Sequence, residues 1–409
     1  MNTHLTLYIT NNDNKETIIE HVRNGSFFKE TLGLKGALFS EITLNKFIKE
    51  EMVHGHFDVE TNTKNSLKNS SEGERKQALL NHIINRNPEY IILDNVFGNL
   101  DVENQKQLSE TLWDLSRRTW LIQITNRQRD ILPFIKMVYK IENNVPVLFE
   151  YPDCTVPKKK HFIASLPKPY KPFDSEINPI IKFTNVSVAY GNRKILKDIS
   201  WGINVGEFWQ LIGPNGSGKS TILSMVFGDN PKAYGQDIVL FGKKKGTGES
   251  VWDIKQKIGY FSSEMLRGLT RLDSIGNMIV SGFFDTIGLY RTPTNQQIKI
   301  AQQWLHVLNM YNIRKKDFLS LSNGHQRLVL IARAMVKHPP LLILDEPTNG
   351  LDDTDADLFT ELINKIAKET NTTILYVSHR KEEKLLDPDY VFELLPTQSG
   401  SVGRFVDIE

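Results

Sequence analysis

Four stretches in the first half of this chain have counterparts, in the same order, in the second half. The first pair aligns on one lysine: "LYITNNDNKETII" begins at residue 7 and "LIGPNGSGKSTIL" begins at residue 211. The other pairs are "SSEGERKQALL" from 70 with "LSNGHQRLVLI" from 321, "PEYIILDNVFGNLD" from 88 with "PPLLILDEPTNGLD" from 339, and "TWLIQITN" from 119 with "TTILYVSH" from 372. Ordered repeats of this kind predict that the two halves share one architecture.

Short apolar runs such as "YIILD", "LLILD", "FWQLIG" and "TILYVS" predict strands buried on both faces of a parallel sheet, because they are β-rich and largely lack alternating polar residues. Helical stretches lie between them, so we expect an α/β fold in each half. The domains are predicted at 1–150, where the unit is reduced, and at 180–409, where it is complete. The stretch 151–179 is rich in proline and lysine, which favours an extended, solvated linker.

The composition excludes several classes of protein. Lys and Arg number 50 against 48 Asp and Glu, so no strongly basic surface for nucleic acid is indicated. The single cysteine, Cys154, cannot form an internal disulfide and fits a reducing compartment. No run of about 18 to 20 apolar residues is present, nor a basic segment followed by an apolar one at the N-terminus. We expect a cytoplasmic protein, at most peripheral at the inner face of the cell membrane.

The stretch "GPNGSGKST" matches the pattern G-x-x-x-x-G-K-[ST] of a phosphate-binding P-loop, between a predicted strand and a predicted helix. Its glycines allow backbone N–H groups to surround a triphosphate at a helix N-terminus. Lys219 is expected to reach the β- and γ-phosphates, and the Ser220 hydroxyl to ligate Mg²⁺. The predicted cofactors are ATP and Mg²⁺. The predicted nucleotide-binding residues of the loop are Gly213, Pro214, Asn215, Gly216, Ser217, Gly218, Lys219, Ser220 and Thr221.

Two carboxylates and a histidine follow buried strands of the second half. Asp345, after "LLIL", is the expected acid on the Mg²⁺ side. Glu346 is next in the chain and is expected to orient or deprotonate the attacking water. His379 ends the strand "ILYVSH" and is predicted to contact the γ-phosphate. Ligands of α/β sheets bind at the carboxyl ends of the strands, where these three residues are expected.

The first half has lost most of this chemistry. Its loop lacks glycine, and glycine is the residue that readily adopts positive φ. The replacements are Asn12, Asp13 and Asn14 in the glycine-rich part of the loop, Glu16 for the metal-ligating serine, Asn95 for the glutamate and Asn126 for the histidine. The serine and glycine of "SSEGERKQ", Ser71 and Gly73, are retained. We therefore expect a working nucleotide site only in the second half.

The stretch "LSNGHQR", taken with the P-loop, "LLILDEP", "GLD" and His379, resembles the signature of ATP-binding-cassette (ABC) ATPases. In that family ATP binds between two cassettes, with the P-loop of one facing the signature of the other. The resemblance implies that Ser322 and Gly324 contact the γ-phosphate of an opposite site and that Asp352 is the D-loop acid. It also implies that Tyr190 stacks on adenine, as aromatic rings do without a sequence requirement. One departure is Ser263, which stands where the family usually has a glutamine.

Within this family, most of residues 181–390 resembles the tandem-cassette proteins named for molybdate transport or as photorepair protein A. The stretches that carry this resemblance are "GEFWQLIGPNGSGKST", "SGFFDTIGLY" and "MVKHPPLLILDEP". It implies the ATP-binding component of a molybdate-type transport system, with a membrane permease as partner. The alternative is a soluble regulatory or DNA-repair-associated ATPase without a transport role. No zinc module can be read in the sequence, and none is expected.

The retained Ser71 and Gly73 suggest how one site could be completed. Paired with the second-half P-loop, they would give an intramolecular sandwich with one competent site in a monomer. The alternative is a homodimer in which the second halves of two chains pair, so that Ser322 and Gly324 serve the partner's site. We favour the intramolecular arrangement, because a tether raises the effective concentration of the first half.

Overall fold

The computed structural model describes residues 3–55, 58–61, 66–98, 100–150, 161–170, 178–266, 273–379 and 386–407. The chain forms two compact units, Met1–Pro157 with Gly350–Asp353, and Lys158–Asn349 with Thr354–Glu409. The boundary after Pro157 therefore falls inside the predicted linker. Most of that linker, 151–160 and 171–177, lies outside the described residues.

The first unit contains one six-stranded sheet in the order β2-β3-β4-β1-β5-β6. All neighbouring strands are parallel except β5 and β6, which are antiparallel. The strands are β1 Leu5–Tyr8, β2 Gly36–Phe39, β3 Tyr90–Asp94, β4 Trp120–Thr125, β5 Met137–Glu142 and β6 Val145–Leu148. The helices are α1 Lys15–Arg23, α2 Glu41–His54, α3 Glu72–Asn85 and α4 Val102–Ser116.

The second unit repeats this sheet in the order β12-β13-β14-β9-β15-β16 and adds an antiparallel sheet in the order β11-β10-β7-β8. Its strands are β7 Ile181–Tyr190, β8 Arg193–Ile203, β9 Phe208–Ile212, β10 Asp237–Leu240, β11 Lys243–Lys244, β12 Ile258–Ser262, β13 Leu341–Asp345, β14 Thr373–Ser378, β15 Tyr390–Leu395 and β16 Val402–Val406. The helices are α5 Lys219–Val226, α6 Val251–Lys255, α7 Ile275–Val280, α8 Asn295–Val307, α9 Asn323–Met335 and α10 Asp353–Glu369.

The two six-stranded sheets share one connectivity, as the repeated sequence predicts. In both, the strand before the phosphate-loop position lies fourth in the order, beside the strand that directly precedes Asn126 or His379. The described part of the first unit has no counterpart of the antiparallel sheet. It also has one helix, α2, between β2 and α3, where the second unit places α7 and α8 between β12 and α9. The predicted class of two α/β domains with a reduced N-terminal one is confirmed.

Burial explains why these runs form central strands. Every residue of β3, β4, β9 and β14 is buried, which is the pattern of parallel strands covered by helices on both faces. The helices supply the covering apolar faces; on α9, for example, eleven of the residues are buried. One core cluster of the second unit contains Trp201, Ile343, Val377 and Phe392, from four different strands.

A buried cation occupies the same position in both units. Lys76 on α3 donates to the carbonyl oxygens of Val96 at 3.2 Å and Gly98 at 2.5 Å, in the turn after β3. Its counterpart, Arg327 on α9, donates to the carbonyl oxygens of Pro347 and Asn349, after β13. Each cation therefore stabilises the turn after a strand that ends in an aspartate, β3 in the first unit and β13 in the second.

The described part of the linker packs instead of lying free in solvent. Phe162 is buried, and its backbone N–H donates to Glu361 on α10 at 3.1 Å. The His161 N–H donates to the same carboxylate at 2.7 Å, and the Leu166 N–H donates to Glu369 at 3.1 Å. Within 161–170 the structure thus differs from the sequence-based expectation of a solvated linker, because one apolar side chain and two carboxylates of α10 anchor it.

None of the helices in the described ranges combines the length and the apolar character needed to cross a lipid bilayer.

Candidate active site

The P-loop of the second unit connects β9 to α5 in the geometry that its sequence predicts. Gly216 has φ +77° and Gly218 has φ +98°, both in the left-handed region. At Gly218 a Cβ would also lie 2.6 Å from the Leu196 side chain, so both backbone and space require glycine there. The buried Ser217 hydroxyl has no hydrogen-bond partner in the described structure, and Ser220 is exposed in the first turn of α5. A loop with these properties fits a bound triphosphate.

Lys219 lies against the interior of this loop. Its Nζ donates to the carbonyl oxygens of Gly213 at 2.6 Å and Pro214 at 3.2 Å, and the side chain is largely buried. The charge of Lys219 also favours the ionised form of Asp345, so the two groups lie within electrostatic reach. Phosphate oxygens would replace the two weaker carbonyl acceptors as partners of the ammonium group.

Asp345 ends β13 next to the end of β12, since Ser262 pairs with it in the parallel register. Burial raises the pKa of the Asp345 carboxyl to about 6, with a smaller contribution from the charge of Glu346. The Tyr260 hydroxyl donates to Asp345 Oδ2 at 3.4 Å, and burial raises the pKa of Tyr260 to about 12, so it stays a donor at neutral pH. Tyr260 was missed by the sequence reasoning, because its contact depends on strand register.

The chemistry of these donors fits Mg²⁺ held jointly with phosphate. Among the described residues, no group of three or more His, Cys, Asp or Glu side chains is placed to hold a metal alone. Mg²⁺ in nucleotide sites usually takes one or two protein oxygens together with phosphate oxygens and water. The hydroxyl of Ser220 and the carboxylate of Asp345 would be those protein oxygens. The bound ion would neutralise phosphate charge.

Glu346 and His379 meet at the ends of the neighbouring strands β13 and β14. Glu346 Oε2 lies 2.8 Å from His379 Nδ1, and the Glu346 N–H donates to the Val377 carbonyl at 2.9 Å. Glu346 has φ +46°, an uncommon value for a non-glycine residue that turns the chain directly after the strand. His379 is buried, whereas the Glu346 side chain is 22% exposed. A partly accessible carboxylate oriented by a buried imidazole can accept a proton from water.

Tyr190 ends β7 with 46% of its surface exposed, which leaves its ring available to an adenine. Its hydroxyl accepts a hydrogen bond from Asn230 Nδ2 at 2.9 Å. Asn230 is buried and also donates to Ser224 Oγ on α5 at 2.9 Å, so the tyrosine is fixed relative to the P-loop helix. Asn230 is a further residue that the sequence reasoning did not identify; no motif marks it.

The two signature motifs each begin a helix. Ser322 caps α9, and a Cβ on Gly324 would lie 2.1 Å from the Asp355 carboxyl carbon. In the first unit Ser71 caps α3, with Glu74 completing a capping box, and a Cβ on Gly73 would lie 2.9 Å from Asn104 Oδ1. Both motifs therefore have a helix-capping role within their own unit. Any role toward a nucleotide of another cassette stays a prediction.

The loop of the first unit is closed on itself. The Asp13 carboxylate accepts from the Thr10 N–H at 2.6 Å and the Thr10 hydroxyl at 2.8 Å. Lys15 Nζ forms an ion pair with Asp94 Oδ1 at 2.9 Å, and burial raises the pKa of Asp94. Within the same unit, Asp352 accepts from the Asn11 N–H at 2.9 Å. The groups that would meet phosphate in a P-loop are thus engaged by carboxylates of the protein.

A P-loop before α5, two carboxylates after β13 and a histidine after β14 define a P-loop nucleoside triphosphatase. The family described as ABC transporter matches residues 196–349. ABC transporter ATP-binding protein ModF of Escherichia coli (strain K12) is 37% identical, over 82% of this chain and 71% of ModF. The uncharacterized ABC transporter ATP-binding protein C323.04 of Schizosaccharomyces pombe is 31% identical, over 78% of this chain and 66% of its own length. The zinc uptake system ATP-binding protein ZurA of Listeria innocua is 36% identical, over 50% of this chain and 77% of ZurA.

The chain belongs to the family of ABC transporter ATP-binding proteins. It is an ATPase that uses ATP with Mg²⁺, which confirms the predicted activity and cofactors.

Proposed function

We propose that the chain hydrolyses ATP at one site, built on the P-loop of the second unit, and that Ser71 and Gly73 supply the signature for it. The observation that carries the proposal is the contrast between the two loops. Gly216 and Gly218 hold the second loop open in left-handed conformations. In the first loop, Asp13 and the Lys15–Asp94 ion pair engage the phosphate-binding groups.

Each residue has a role in this reaction. Lys219 binds the β- and γ-phosphates, and Tyr190 stacks on the base. Glu346 accepts the proton of the water that attacks the γ-phosphorus, while His379 holds the carboxylate in orientation. ADP then leaves with its β-phosphate oxygen carrying the charge of the broken bond. Ser220 and Asp345 would hold Mg²⁺, which would supply positive charge against the negative charge that develops on the phosphates.

Matched substitutions of the two signature serines test this arrangement. Ser71→Arg should abolish ATP hydrolysis by a monomer, and Ser322→Arg should leave hydrolysis near the wild-type rate. Light scattering with ATP establishes the oligomeric state of each variant. An inactive Ser322→Arg variant, an active Ser71→Arg variant and ATP-dependent dimerisation would overturn the proposal in favour of pairing between the second halves of two chains.

The transport role is proposed for the whole protein. ATP binding and hydrolysis would drive a membrane permease, with this chain peripheral at the inner membrane face. The family membership of the chain supports this role, since its relatives carry the name of transporter ATP-binding proteins. The resemblance within residues 181–390 favours a molybdate-type cargo, whereas the relative ZurA is named for zinc uptake.

Trapping the ATP-bound state tests the transport role. Tagged Glu346→Gln protein, purified with ATP from separate membrane and soluble fractions, should retain a multi-span permease. Accumulation of molybdate and of zinc is then measured in cells that lack the chain. Loss of molybdate uptake would support molybdate as the cargo, whereas loss of zinc uptake would assign zinc as the cargo instead. Recovery of soluble proteins or DNA alone would overturn transport and favour a regulatory or repair-associated ATPase.

A further inference from the structure

The beginning of strand β8 lies against the P-loop. Its Leu196 is buried, and its side chain would lie 2.6 Å from a Cβ on Gly218. Ile195 approaches the same position at 3.1 Å. These contacts fix the beginning of β8 beside the loop.

Arg193 reaches the loop itself. Its Nη2 lies 3.7 Å from the position that a Cβ on Gly216 would take. Arg193 pairs across the β7–β8 hairpin with Tyr190, so one hairpin end carries both a guanidinium and the exposed aromatic ring. The guanidinium is exposed, and in the described residues it forms neither a hydrogen bond nor an ion pair. An accessible, unpaired guanidinium therefore lies at the middle of a phosphate-binding loop.

We propose that Arg193 is a further nucleotide-binding residue, whose guanidinium contacts phosphate oxygens of the bound nucleotide. Arginine presents several N–H donors in a planar fork that matches phosphate oxygens. Lys219 binds from the interior of the loop, where its Nζ contacts the Gly213 and Pro214 carbonyls. Arg193 binds from the hairpin side, over Gly216. The nucleotide is thus held between the base-stacking hairpin and the P-loop, with a cation on each side of the phosphates.

The experiment compares ligands that differ in phosphate content. Arg193→Met, which keeps an apolar stem and removes the charge, is tested by calorimetry with ADP and with adenosine, and by steady-state ATP hydrolysis. Loss of an exposed charge-assisted contact should raise the ADP Kd and the ATP KM by about 3- to 10-fold. The adenosine Kd and kcat should stay unchanged. Lys194→Met is the matched control, because Lys194 is an adjacent exposed cation with no assigned role; its values should equal the wild type.

Two results would overturn the proposal. An Arg193→Met variant that binds ADP as tightly as the wild type would show that the guanidinium makes no phosphate contact. Equal weakening of ADP and adenosine would show that the substitution disturbs the hairpin and Tyr190. Arg193→Lys, which retains charge without the fork, should recover part of the ADP affinity. Because wild-type ATP hydrolysis is measured alongside, failure of this proposal is separable from failure of the single-site proposal.

Discussion

Glu346 and His379 form a hydrogen-bonded pair, with Oε2 2.8 Å from Nδ1, although 33 residues separate them in the chain. The pair exists because β13 and β14 are parallel neighbours whose carboxyl ends lie at one edge of the sheet. The carboxylate is partly accessible and the imidazole is buried. This arrangement supports the proposal that Glu346 accepts the proton and that His379 orients its carboxylate.

Glu346→Gln should abolish hydrolysis while ATP binding is retained. The amide keeps the size of the side chain but cannot accept a proton, and general-base catalysis typically contributes roughly 10²- to 10⁴-fold. Single-turnover phosphate release and the ATP Kd are measured on the same protein. Unchanged turnover would remove Glu346 from the role of base. His379→Ala should lower kcat less, because the carboxylate remains present.

Nucleotide stoichiometry should be one ATP per chain. In the first unit, Asp94 neutralises Lys15 and Asp13 closes the loop, so phosphate would have to displace two internal carboxylate contacts. Equilibrium binding to the Glu346→Gln protein gives the stoichiometry. Adding Lys219→Ala should eliminate binding, and adding Lys15→Ala should leave it intact. A second ATP lost with Lys15→Ala would contradict the single-site proposal.

The free energy of unfolding should decrease as the pH falls from about 6.5 toward 4, because His338 binds a proton more readily in the unfolded chain. Burial lowers the pKa of His338 to about 4, and its Nε2 has no partner in the described structure. In that window the unfolded chain binds a proton that the folded chain does not, so acidification favours unfolding. By pH 4 the loss from this group should be about 1 to 3 kcal/mol.

His338→Asn should remove that part of the pH dependence. Asparagine does not titrate and tolerates the φ of +50° found at this position. Urea unfolding of both proteins at several pH values measures the difference. Parallel stability curves for the two proteins between pH 6.5 and 4 would show that His338 does not contribute.

Gly282→Ala should destabilise the second unit, whereas Gly276→Ala should not. A Cβ at Gly282 would lie 2.0 Å from the backbone carbonyl oxygen of Arg333 on α9. The segment that carries Gly282 would therefore have to move away from α9. Overpacking of this kind typically costs about 1 to 3 kcal/mol. At Gly276 the nearest atom, the Arg314 carbonyl oxygen, is 3.4 Å away, which is ordinary contact. Thermal unfolding distinguishes the variants; equal melting temperatures would contradict the packing argument.

The sequence alone determined the repeated α/β architecture and the residues of the P-loop, Asp345, Glu346 and His379. These are locally encoded: glycine permits left-handed φ where it stands, and an unalternated apolar run must be buried wherever it lies. The loss of glycine from the first loop could be seen in the sequence for the same reason. The sequence did not show which side chains would engage the phosphate-binding groups of that loop, since the contact between Lys15 and Asp94 joins segments far apart in the chain.

Only the tertiary structure decided which side chains support the site. Tyr260 reaches Asp345 through the register of two strands, and Asn230 reaches Tyr190 across the P-loop helix. Arg193 lies beside Gly216 because the buried Leu196 fixes the edge of β8 against the loop. No motif marks these three residues, since their chemistry depends on distances between separate segments. Those distances are set by how the whole chain packs, which local sequence does not specify.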